Sequence, residues 1–149
     1  AGGEVKKCLK GAHRGIAHNI EINNIGLRHK IYKDKKKKFN TPAFNFDEVV
    51  TLPSKSVLLS SNPLNKVMGL NFKIGESDIW GIQYHPEITY SKMISLIHFR
   101  RERLLNKQAF KDDDEINEYV KIIEEEKKLS DKDSRMLELK NWLEFLNEN

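Results

Sequence analysis

Apolar and polar positions alternate most cleanly over "RGIAHNIEIN". Ile16, His18, Ile20 and Ile22 share one parity there, and Ala17, Asn19 and Glu21 the other, which predicts a half-buried strand. Ahead of it, Gly2-Gly3 turns into a short strand over Glu4-Val5-Lys6-Lys7-Cys8-Leu9. "SVLLSSN" predicts a brief buried strand. A hairpin follows: Met68, Leu70, Phe72 and Ile74 alternate with Val67, Gly69, Asn71 and Lys73, "GESD" supplies the turn, and "IWGIQY" runs back. Residues 26–40 predict a polar connection holding Lys35-Lys36-Lys37-Lys38. "PAFNFDEVVTLP", bracketed by Pro42 and Pro53, predicts a loop that returns into a short strand or turn.

Beyond residue 90 the period changes from two to about 3.6. Met93, Ile94, Leu96, Ile97 and Leu104 predict one helix over residues 91–105, with Arg100, Arg101 and Arg103 near its C-terminal end, where they suit the helix dipole. Asp112, Asp113 and Asp114 then lead an amphipathic helix carrying Ile116, Tyr119, Val120 and Ile123. Ser130 and Asp133 resemble a capping box. The stripe Met136, Leu139, Leu143 and Leu146 behind them predicts a last helix packed on the body, or on a partner.

Composition narrows the class. The 149 residues are 38% hydrophobic and 32% charged, as in a soluble globular domain, and no apolar run approaches the roughly 20 residues a membrane helix needs. One cysteine excludes an internal disulfide framework and suits a reducing compartment, so a cytoplasmic location is expected. The chain opens on Ala1-Gly2-Gly3 rather than a methionine, which suggests a fragment or a processed product. Charge is segregated: residues 1–38 hold eleven Lys/Arg against three Asp/Glu, and residues 112–149 six against thirteen. That predicts either an acidic ligand near the start, or a solvated basic loop facing one way and acidic helices another.

The chemistry gathers in "WGIQYHPEITYS". Proline ends the ladder and biases His85 toward extended backbone, where side chains alternate; His85 and Glu87 would then project to one side. A carboxylate that orients an imidazole is two-thirds of a nucleophile–His–carboxylate triad, and the end of a strand ahead of a helix is where open α/β sheets place their sites. Spacing alone leaves open a strand-ending turn with a surface ion pair, since His-x-Glu is common. Trp80 and Tyr84 have the opposite parity and should face the core. His13, His18, His29 and His98 lack metal-ligand spacing with one another or with Cys8 and are expected as packing or surface residues. The four-lysine run is expected as a solvated face; without interleaved aromatics it does not argue for nucleic acid.

"GIQYHPE" resembles the His-Pro-Glu signature of class I glutamine amidotransferases, in particular the subgroup resembling the amidotransferase domain of guanosine monophosphate synthetase. "AGGEV", "KG", "HNIEI", "FDEVVTLP" and "VLLSSN" are similar to that subgroup's segments in the same order, and "RRERLL" with "LELKNWLEFL" to a C-terminal extension of its stand-alone members. The resemblance implies an α/β fold, the C-terminal half of a flavodoxin-like domain with a β-hairpin: residues 1–108 as the partial domain and 109–149 as a helical extension. It implies a Cys-His-Glu triad that releases ammonia from glutamine through a glutamyl thioester, with His85 and Glu87 the catalytic residues carried here. No cofactor and no metal are called for. Phe44, Asn45 and Phe46 fall where relatives hold glutamine mainly through backbone, with Asn45 replacing a frequent histidine.

The Gly-x-Cys-x-Gly elbow of the family would fall ahead of Ala1, and Cys8, in "KKCLK" without flanking glycine, is expected as an ordinary strand residue rather than the nucleophile. The chain as it stands should therefore be inactive toward glutamine. The expected partners are glutamine and an ammonia-accepting synthetase on another chain or upstream, with neither nucleic acid nor membrane. A second function stays open: a non-catalytic binding or regulatory module in which His85 and Glu87 are remnants. A basic nucleic-acid-binding domain is disfavoured by the acidic tail.

Overall fold

In the computed structural model, residues 2–148 are described; Ala1 and Asn149 lie outside them. The first strand, β1 (Glu4–Lys7), pairs antiparallel with β4 (Asp47–Thr51) in a separate two-stranded ribbon. The main sheet contains β2 (His13–Ile22), β3 (Lys38–Asn45), β5 (Val57–Ser61), β6 (Gly69–Ile74) and β7 (Ser77–Ile82) in the order β3-β2-β5-β6-β7, with every pair antiparallel. The expected hairpin is β6–β7, paired from Gly69↔Ile82 to Ile74↔Ser77, and Gly75 makes the turn at φ +57°, a conformation glycine adopts without Cβ strain.

β2 departs from its expected alternation. The β2–β3 register shifts between Ala17 and Ile20, and Asn19 sits at φ +52°, its N–H donated to Asn40 Oδ1 at 2.8 Å. A bulge reverses side-chain parity. Ile16 therefore packs on the helix side of the sheet, whereas Ala17, Ile20 and Ile22 pack on the opposite side with Ile31, Tyr32, Leu59, Met68 and Tyr84. One strand serves two cores. The segment expected as a Pro42–Pro53 loop is more regular than its prolines suggest: Pro42 lies inside β3, opposite Ile16. β3 is an edge strand, and an edge can lose a ladder donor.

The helix-side core holds α1 (Tyr90–Phe99), α2 (Arg101–Asn106) and α3 (Asp113–Leu129). The single helix expected over residues 91–105 is broken at Arg100, whose φ −98° and ψ 11° depart from helical values. The break went unseen in the sequence because Ile97 and Leu104, seven apart, stay in phase and are both buried. Asp112 caps α3 by accepting from Glu115 N at 2.9 Å, with three further acids in the first turn. Gly15 lets α3 approach closely: a Cβ there would lie 2.8 Å from Ile123 Cδ1.

The next cap is Asp131, not Ser130: it accepts from Ser134 N at 2.7 Å ahead of α4 (Lys132–Arg135), while Ser130 ends α3. α5 (Leu137–Glu148) then docks on the connection between β2 and β3, which contains two 3-10 turns, Gly26–Arg28 and Lys30–Tyr32. The docking face takes in only the first half of the expected stripe, where Met136 and Leu139 are half-buried. Glu138 and Asn141 are buried, while Leu143 and Leu146 are 54% and 52% exposed.

Nor is the lysine run simply a solvated face. Lys35 is buried, with Nζ 2.8 Å from Glu138 Oε2 and 2.7 Å from Ser134 O. The segregated charge is in part intramolecular complementarity. Arg14 meets Glu115, Lys30 meets Glu148, Lys33 meets Glu144 and Lys35 meets Glu138, so the basic first quarter of the chain receives the acidic tail.

Candidate active site

β7 delivers its C-terminal end to a bend anchored from below. Tyr84 is buried, and its hydroxyl reaches Glu138 Oε1 at 2.8 Å and Tyr32 OH at 3.0 Å; Tyr32 OH in turn lies 2.7 Å from Ser60 Oγ. Burial pushes the Tyr84 phenol well above its ordinary pKa, with Tyr32 and Glu138 adding to the rise, and burial lifts Tyr32 to about 12. Burial lowers the Lys35 ammonium, against the raising influence of Glu138. Trp80 packs against the same core, as its parity predicts.

The segment that follows, from His85 on, is a turn rather than a continued strand. The His85 carbonyl accepts from Ile88 N at 3.1 Å, so residues 85–88 form a β-turn with Pro86 in the second position, which proline favours through its fixed φ. His85 N donates to Pro42 O at 2.8 Å, tying the turn to β3. The turn, rather than strand alternation, brings His85 Nδ1 to 2.9 Å from Glu87 Oε1. An ionised carboxylate only accepts, so in this contact Nδ1 is the donor, and a neutral imidazole would then carry its free lone pair on Nε2. Both side chains are accessible, at 43% and 51%. Arg135 of α4 donates from Nη1 to Pro86 O and to Ile88 O, the latter at 3.1 Å.

The expected substrate segment lies beside this turn. Asn45 Nδ2 donates to Gln83 Oε1 at 2.7 Å, two residues before His85, and Asn45 Oδ1 is buried with no partner among the described residues. Phe44 and Phe46 meet edge to face at 5.8 Å, beneath Arg100 and Lys107 respectively, and pack on the helix-side core. Phe46 O is already occupied, accepting from Cys8 N at 2.9 Å.

Cys8 is not brought to the pair. Its Sγ lies 3.8 Å from Leu64 O and 3.6 Å from Asn65 Oδ1, at the edge of a cleft of about 520 Å³ that is lined by Lys10, Arg14 and Lys107 among others and includes neither His85 nor Glu87. Among the described residues no cluster of three His, Cys, Asp or Glu side chains is arranged to hold a metal ion, and no helix is long and apolar enough to cross a membrane. His13 is buried, its Nε2 has no partner among the described residues, and burial drops its pKa to about 4.

Spacing did not flag Gln83 or Arg135. Gln83 shares the parity of His85, a signal that was there to use. Arg135 is 49 residues from Pro86 and carries none.

No protein-family model matches the chain. A γ-glutamyl-L-1-hydroxyisopropylamide hydrolase from a Pseudomonas species is 32% identical over 92 residues, which is 60% of this chain and 31% of that protein. The crystal structure of a glutamine amidotransferase from Thermotoga maritima superimposes with a TM-score of 0.68 at 18% identity, covering 99% of this chain and 56% of that one. The chain thus spans about a third of the relative's length and about half of the solved structure's. The resemblance to class I glutamine amidotransferases extends from motifs to architecture, and over its described residues this α/β chain has the fold of a glutamine amidotransferase.

Proposed function

We propose that this chain belongs to an enzyme that hydrolyses a γ-glutamyl amide, glutamine first among them, with His85 as general acid–base and Glu87 as the carboxylate that orients it. The observation that carries this is the 2.9 Å Nδ1–Oε1 contact, built by a proline turn at the end of a sheet between two accessible side chains. Residues 1–108 would be the partial catalytic domain and 109–149 its helical extension.

The nucleophile is a cysteine thiolate supplied from beyond residues 1–149, since Cys8 is buried elsewhere. Sulfur attacks the γ-carbonyl carbon, and the imidazolium gives its proton to the departing nitrogen as the C–N bond breaks. The glutamyl thioester that remains is hydrolysed by a water whose proton returns to His85 Nε2. Backbone of Phe44, Asn45 and Phe46 contributes to holding the substrate, and released ammonia passes to an acceptor enzyme. The 32% identity to a γ-glutamyl alkylamide hydrolase favours a second substrate of the same chemistry, with an alkylamine in place of ammonia.

The test is hydrolysis by the protein extended to include the segment that bears the cysteine, with glutamine and a γ-glutamyl alkylamide offered in parallel. His85→Ala should lower glutamate release by about 10²–10⁴-fold, the usual share of a general acid–base. A folded parent that releases glutamate from neither substrate, with or without candidate acceptor proteins, would overturn the proposal in favour of a binding module.

A further inference from the structure

We propose that Arg135 is a positioning residue for the His85–Glu87 pair, which makes the C-terminal helices part of the site rather than an appendage; its catalytic meaning rests on the function proposed above. The two side chains are exposed, and an exposed ion pair on its own holds geometry weakly. Their alignment therefore depends on the backbone between them. That backbone makes one internal hydrogen bond, Ile88 N to His85 O, which uses neither Pro86 O nor Ile88 O. Arg135 Nη1 takes both, the carbonyls on either side of Glu87. From the other side, Pro42 O receives His85 N. The turn is held between an edge strand and a guanidinium.

Arg135 is itself held. A four-residue helix has little stability of its own. Lys35 Nζ fixes Ser134 O, the carbonyl just ahead of Arg135, and bonds Glu138, the first buried residue after it. Glu138 also receives Tyr84 OH, from the residue directly before His85. One buried network therefore fixes both the segment that carries His85 and the segment that clamps it. Planar geometry and several donors suit arginine to spanning two carbonyls; lysine offers a point donor on a flexible stem.

The experiment reads the His85 tautomer in this chain by long-range ¹H–¹⁵N correlation of the neutral imidazole, a quantity that does not require hydrolysis. Glu87→Ala sets the floor, with the carboxylate gone. Arg135→Gln, with its thermal midpoint measured alongside, should lower the ratio of Nδ1–H to Nε2–H tautomer severalfold toward that floor, and Arg135→Lys should restore part of it. A folded Arg135→Gln chain with the wild-type ratio overturns the proposal, whatever its melting temperature. So does a wild-type ratio already at the Glu87→Ala floor. If Arg135→Gln does not fold, Arg135→Lys carries the same comparison. In the extended protein, Arg135→Gln should lower kcat for glutamine with KM held within about twofold, the pattern of an interaction expressed in the transition state. An extended protein that never hydrolyses glutamine would sink the proposed function while the tautomer ratio still decides the role of Arg135.

Discussion

Helices α3 and α5 both belong to the last forty residues, and they dock by opposite means. α3 buries the apolar residues its period marks: Ile116 and Ile123 are inside, with Tyr119 and Val120 packed beside them. α5 leaves Leu143 and Leu146 outward and buries Glu138 and Asn141. The surfaces that receive them account for the difference. α3 meets Ile16, Met93 and Ile97, an apolar layer. α5 meets a connection of 3-10 turns whose carbonyls have no strand or helix to satisfy them. Asn141 Nδ2 donates to Ile31 O at 3.0 Å and Lys33 O at 2.9 Å, and Glu138 neutralises Lys35. Amphipathic period predicts the buried face of a helix when the surface opposite is apolar. Where that surface presents orphaned polar groups, the polar face docks, because an unpaired buried group costs more than an exposed leucine.

The sharpest way to break this comparison is Glu138→Leu, which adds apolar area yet strands the buried ammonium of Lys35. Urea unfolding should register a loss of about 3–5 kcal/mol, the cost of removing one partner from a buried pair. The double variant Lys35→Met with Glu138→Leu should recover most of it. A single variant as stable as wild type would mean that the pair does not hold α5.

On the other helix, Ile123→Ala should cost about 3 kcal/mol by urea unfolding, within the range for emptying a packed aliphatic site. A change below about 1 kcal/mol, the scale of a surface substitution, would mean that α3 is not held by its apolar stripe.

His13 offers a third contrast, a buried titratable group kept neutral instead of paired. Burial first, and His18 after it, lower its pKa from 6.5 to about 4, against the raising effect of a backbone hydrogen bond with Ile16. The folded state then binds fewer protons than the unfolded state between those values. Stability from this group is complete above pH 6.5 and is lost as pH falls through about 4. Between pH 7.5 and 5 the loss should be about 2 kcal/mol. Unfolding free energies of wild type and His13→Gln across this range should diverge in slope; parallel slopes would count against a neutral buried imidazole.

The smallest effect is expected on the exposed stripe of α5. Leu143→Gln should move stability by no more than about 0.5 kcal/mol, as surface substitutions do. A loss like that of Ile123→Ala would place Leu143 in a packed interface and erase the contrast between the helices.

Much of the fold was legible in order along the chain. The β6–β7 hairpin announces itself because alternation, turn residues and strand length all agree there. The α3 start is equally plain, since Asp112 and the acids behind it satisfy and complement the free N–H groups. Other features lay beyond local pattern. The bulge at Asn19 changes which core Ile20 enters without changing any residue type nearby. The strand through Pro42 depends on its being at an edge, which is a fact about neighbours. At the site, His85 and Glu87 were marked by spacing, but the geometry expected for them was extended and the actual one is a turn.

What the sequence determined by itself was local: which segments extend and which coil, where caps and turns fall, and that an imidazole and a carboxylate stand two residues apart behind a strand. These follow from period, propensity and fixed dihedrals, each decided within a few residues. The tertiary structure alone decided that Lys35 is buried, that the tail helix buries Glu138 and Asn141, and that Arg135 spans the carbonyls around Glu87. Each of those depends on polar groups some fifty to a hundred residues apart finding each other during burial. A charge carries no periodic mark of where its partner will come from.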